Sequence, residues 1–131
     1  MPETAEMYAL KSPAEAYRRV DFDARISGAD PRQLVIVCYE QLAAALGAAL
    51  LAAGRGDNAR KSEALTRALA ALTALQMGLD PGQPITAALA TFLESGRKAV
   101  LGSVVQFEPR AIERLREDVA DLLEAFRHAP D

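Results

Sequence analysis

Four long stretches of this chain repeat apolar residues every three to four positions, the period of a helix with one buried side. The first is announced by Asp30-Pro31-Arg32-Gln33: an acidic N-cap, a proline at N1 and a glutamine at N3. It is predicted to run to residue 53 and to stop at Gly54. The second covers residues 58–77, capped by Asp57 and closed by Gly78, with Leu65, Leu69, Leu72 and Leu75/Gln76 on its core face. The third covers about residues 85–104, and its large apolar residues are Leu89, Phe92, Leu93, Val100, Leu101 and Val104. Gly96 and Gly102 weaken it by about 1 kcal/mol each against alanine and mark either a close helix approach or a bend. The fourth starts at Glu108-Pro109, where Phe107 and Ile112 hold the positions of a hydrophobic staple. Ile112, Leu115, Val119, Leu122/Leu123 and Phe126 form its apolar stripe, opposite Glu113, Arg116, Glu117, Asp121 and Glu124.

The connections set the topology. Arg55-Gly56 is too short a link for anything but antiparallel neighbours, and Leu79-Asp80-Pro81-Gly82-Gln83-Pro84 is a clear helix break. The prediction is an all-α fold, an antiparallel up-down four-helix bundle with an N-terminal capping segment. One domain spans 1–131: a mobile tail over 1–11, a cap over 12–29 and the bundle over 30–129. The cap opens with its own capping box, Ser12-Pro13-Ala14-Glu15.

Composition narrows the function classes. Alanine makes up about a fifth of the 131 residues and tryptophan is absent, which suits close-packed helices. The net charge is −3, and the basic pairs Arg18-Arg19, Arg60-Lys61 and Arg97-Lys98 are scattered, so no stripe for nucleic acid exists. The single cysteine, Cys38, rules out an internal disulfide and fits a reducing cytosol. The N-terminus lacks the pattern of a secretory signal. The longest uncharged apolar run, 42–53, falls short of the ~18 residues of a membrane span, so a cytoplasmic protein with no membrane insertion is expected. His128 is the one histidine and lies three residues from the C-terminus, the wrong place for phosphorelay chemistry. Glu124 and His128 have the wrong spacing for a bundle metal site, and Cys38 has no basic neighbour to activate it. No metal, cofactor or catalytic residue is expected, and the chain is not read as an enzyme.

Three stretches are bare of charge: 42–53, 68–75 and 85–93. Alanine is a small, strong helix former whose exposed methyls need no explanation. Alternatively, these helices present apolar grooves that accept amphipathic helices of a partner. Tyr17, Phe22 and Ile26 are candidates to cover such grooves, and Leu51 and Leu69 to line them. A structural or regulatory homodimer, its bare faces burying each other, is the competing reading.

The order and spacing of several segments over residues 14–80 resemble the flagellin export chaperone family, FliS. They are Ala16-Tyr17, Ala29-Asp30-Pro31, Leu34-Val35-Ile36-Val37-Cys38-Tyr39-Glu40, Gly56-Asp57, Lys61-Ser62-Glu63-Ala64-Leu65 and Leu79-Asp80. The second half departs from the family pattern, with Gly82-Gln83-Pro84-Ile85 for its Gly-Gly-Glu-Ile and Phe126 near its terminal tryptophan. The resemblance implies a chaperone that binds the disordered C-terminal segment of flagellin, prevents premature polymerisation and keeps it ready for the flagellar export gate. It implies that Tyr17 aids flagellin binding and that Leu34, Val37 and Tyr39 match the motif of the first long helix. The candidate partner-binding residues are therefore Tyr17, Phe22, Ile26, Leu34, Val37, Tyr39, Leu51 and Leu69, in a monomer or weak dimer.

Overall fold

The computed structural model describes residues 31–128. They form four helices: α1 Pro31–Gly54, α2 Asn58–Met77, α3 Thr86–Val105 and α4 Pro109–His128. Each packs against its neighbours in a ring, α1 on α2, α2 on α3, α3 on α4 and α4 back on α1. This is the antiparallel up-down four-helix bundle that the connections predicted. The proposed cap, with Tyr17, Phe22, Ile26 and the capping box at Ser12, lies outside the described residues.

The turns explain the helix ends. The first stop is not Gly54, which is still helical, but Gly56 two residues on, at φ 69°. The Asp57 N–H donates to the Ala52 carbonyl at 2.9 Å and the Gly56 N–H to that of Ala53 at 3.1 Å, a Schellman closure that needs a left-handed residue at Gly56. Asp57 then caps α2 by accepting the Arg60 N–H at 3.1 Å. Before α3, Asp80 accepts the Gly82 N–H at 2.9 Å and its carbonyl accepts the Thr86 hydroxyl. These bonds hold the break and delay the helix to Thr86, one residue later than expected. At the α3–α4 corner the buried Ser103 hydroxyl accepts the Glu108 N–H at 3.2 Å, and Phe107 and Ile112 pack into the core as a staple would.

The core is built on α1, which buries Leu34, Ile36, Tyr39, Leu42, Ala45, Leu46, Ala49 and Ala52. Leu65, Leu72 and Leu75 of α2, Leu93 and Val100 of α3, and Ile112, Leu115, Val119 and Leu123 of α4 complete it. By length and composition alone α1 could cross a membrane. Its place between α2 and α4 accounts for that hydropathy, since a helix covered on two sides has little face left to be polar. Leu101, Val104 and Val105 turn outward from α3. Polar links lash the ring together. Arg97 of α3 donates to Gln76 at 2.9 Å and to the Thr73 hydroxyl on α2. Arg127 of α4 pairs with Glu40 of α1 at 2.5 Å.

The two glycines of α3 differ in kind. A Cβ at Gly96 would meet Leu115 Cδ1 at 3.1 Å and Leu72 Cδ2 at 3.4 Å, whereas one at Gly102 would meet nothing within 4 Å. Gly96 marks a close approach of three helices and Gly102 does not. Gly102→Ala should therefore raise the unfolding free energy by about 0.5–1 kcal/mol through helix propensity alone. Gly96→Ala should lose that gain to crowding and fall below the Gly102→Ala variant in urea titration. Equal stabilisation by both would contradict this packing.

Candidate helix-binding groove

The three bare stretches meet different fates. Within 42–53 only Ala44 and Leu51 are exposed, and within 68–75 only Ala70, because α1 and α2 cover each other and α4 covers α1. The stretch 85–93 stays open: Ile85, Ala87, Ala88 and Thr91 are exposed, and Leu89 and Phe92 are half-buried. The cause is the α3–α4 seam, where the two helices touch less than any other neighbouring pair.

Two hollows lie along that seam. One, of about 380 Å³, is lined by Ile85, Ala88, Leu89 and Phe92 from α3 and by Asp118, Asp121, Leu122 and Ala125 from α4. The other, of about 300 Å³, continues it through Phe92, Ser95, Gly96 and Ala99 against Arg110, Ala111, Arg114, Leu115 and Asp118. Phe92 and Asp118 belong to both, so the hollows form one groove. From Ile85 to Ala99 it follows about 21 Å of helix, roughly four turns. Its floor and α3 wall are apolar and its charges sit on the α4 rim.

A third hollow, of about 190 Å³, adjoins the groove at Ile85 and Leu89. Val35, Cys38 and Tyr39 of α1, Leu75, Leu79 and Phe126 close it. Tyr39 is 1% exposed, and its ring lies 5.6 Å from that of Phe126, tilted by 42°. Burial pushes the Tyr39 phenol up to about 12, with the charge of Cys38 adding to the shift. Burial also raises the Cys38 thiol, so at neutral pH it is a packing group and not a nucleophile.

The residues singled out from sequence fall in several places. Tyr17, Phe22 and Ile26 are outside the described residues. Leu34 and Tyr39 are buried, and Tyr39 forms part of the wall of the third hollow. Leu69 is half-buried against the core. Val37, 41% exposed, lines none of these hollows. Leu51, 56% exposed, sits at a separate hollow of about 450 Å³ beside Arg55, Arg60 and Arg67. The groove residues Ile85, Leu89, Phe92 and Leu122 were not among those candidates. The signals for them were the uncharged run 85–93 and the Leu122-Leu123 doublet, which provides one leucine for the core and one for the seam.

A family model described as flagellar protein FliS matches residues 13–131. The chain belongs to the FliS family, whose members are chaperones of flagellar export that bind flagellin. The match includes α3 and α4, beyond the segments over residues 14–80 that carry the resemblance. No curated protein matches the chain closely.

The buried phenol makes a pH prediction. Unfolded, Tyr39 titrates near its ordinary value of 10.0, and folded, near 12. The folded chain therefore favours the neutral phenol. That contribution is whole below pH 10 and is lost as pH rises from about 10 to 12. Tyr39→Phe should flatten this alkaline loss in denaturant titrations across that range, leaving the smaller slope due to Cys38. An unchanged slope would mean that Tyr39 is not buried as described.

Proposed function

We propose that this FliS-family chain is a cytoplasmic export chaperone whose α3–α4 groove, with the adjoining hollow at Phe126, takes the disordered C-terminal segment of flagellin as an amphipathic helix. The observation that carries this reading is the open 85–93 face. It is the one bare stretch that the bundle leaves uncovered, and it lines a channel with an apolar floor about four turns long. An apolar groove of this length suits a helix with anchors at i, i+3, i+4 and i+7. A segment that is disordered when free folds as it docks, so its apolar face leaves water only on the chaperone. Covering that face keeps it from pairing with other flagellin chains, which is how binding holds a client unpolymerised and ready for the export gate.

The adjoining hollow holds a half-buried thiol, Cys38, and a buried phenol, Tyr39, and burial raises the pKa of both. The homodimer reading draws on the same three bare stretches, and two of them, 42–53 and 68–75, are largely covered within the chain's own bundle. That leaves it less support than the chaperone reading.

Calorimetric titration with a peptide of the flagellin C-terminal segment should give about one site per chain at micromolar affinity. Ile85→Asp and Leu89→Glu should each weaken it by more than roughly tenfold, the effect of burying an unpaired charge in an apolar contact. Leu51→Glu, on the far side of the bundle, should leave it unchanged, and all three variants should keep the helical circular dichroism of the parent. Absence of micromolar binding, or equal loss at Leu51, would refute the assignment.

A further inference from the structure

The groove is apolar on its floor but not on its rim. Arg110, Arg114, Asp118 and Asp121 follow one flank of α4 at spacings of four, four and three, and all four line the groove. Two basic residues thus stand at one end and two acidic residues at the other. All are exposed, and none has an ion pair or side-chain hydrogen bond among the described residues, although Arg114 and Asp118 sit at the i, i+4 spacing that favours one. The opposing α3 wall adds no charge, since Arg97 is turned away to Gln76 and Thr73.

A row of charges on an exposed helix is ordinarily a solvated face. Two facts set this row apart: it borders an apolar groove, and its signs are sorted along the groove's length. Arg110 and Asp121 are about 16 Å apart along the helix, beyond the ~10 Å Debye length at 0.1 M salt. The outer charge of each pole is therefore read separately, while Arg114 and Asp118, one turn apart, partly offset each other at the middle of the groove. We propose that this charge-sorted rim fixes the direction in which a helix lies in the groove. The occupant is an amphipathic helix of about four turns, its flank acidic where it faces Arg110 and Arg114 and basic where it faces Asp118 and Asp121. This rests on the groove being the client site. The helix dipole contributes only about half a charge at each end, so the two full charges at each pole decide the direction.

The test uses two synthetic 14-residue amphipathic peptides with the same apolar face and composition. One has acidic flanks in its N-terminal half and basic flanks in its C-terminal half, and the other has the reverse. Each carries a nitroxide at its N-terminus, and relaxation of the chaperone's backbone amides reports where the label lies. The first peptide should broaden Ser95, Ala99 and Ala111. The second should spare these and broaden Ile85, Ala88 and Ala125. The preference should fade at 1 M salt, and the combined variant R110E/R114E/D118R/D121R should exchange the two patterns. If both peptides bind in the groove with the label at the same end, or at both ends equally, the directional rim is overturned and the groove assignment stands. If neither peptide binds there, both fall.

Discussion

The burial of α1 is the constraint on which the rest of the bundle depends. Eight of its residues are buried, and α2 and α4 close on it from two sides. A helix placed this way requires its alanines: Ala45, Ala49 and Ala52 let its neighbours come close, while Leu42 and Leu46 fill the space between. With α2 and α4 both committed to α1, α3 completes the ring mainly through α2. Its inward residues are Leu93, Gly96, Val100 and Ser103, two of them small. The seam to α4 is left with little between the helices, and that shortage of packing is the groove.

A closed core and an open channel thus come from the same division of apolar surface. Leu93 and Val100 face inward and anchor α3, so the helix does not need Ile85, Leu89 or Phe92 for its whole stability. Arg97 ties α3 to Thr73 and Gln76 on the side away from the seam. The groove's α3 wall is therefore held from behind, as a preformed binding surface must be if its residues are to remain free for a partner. At the opposite wall, Leu123 faces the core and Leu122 faces the seam.

The fold was legible because its signals are local. Asp57, Gly78 and the residues 81–84 punctuate the chain at the first two turns, and among the described residues the helix ends differ from expectation by a residue or two, as at Gly54, where the left-handed turn is made by Gly56 instead. The groove was less legible. Uncharged alanine-leucine stretches look alike in sequence whether a neighbour covers them or not, and coverage is set by which helices pair most closely. Two of the three stretches are consumed by the α1–α2 and α1–α4 contacts. Tyr39 stands out in sequence through its motif, yet its environment is the interior beside Phe126. In sequence the α4 charges have the look of an ordinary solvated face, and only the fold sets Phe92 and Leu89 opposite them.

The open side of the bundle is the α3–α4 seam, and it is there that we propose the client helix lies. Amide hydrogen exchange of the chain, alone and saturated with the flagellin C-terminal segment, tests this most directly. New protection is expected along residues 85–99, largely in α3, and 110–125 of α4, with 42–53 of α1 and 58–75 of α2 little changed because they are already closed on each other. Protection confined to α1 and α2, with the seam exchanging as fast as in the free protein, would contradict it.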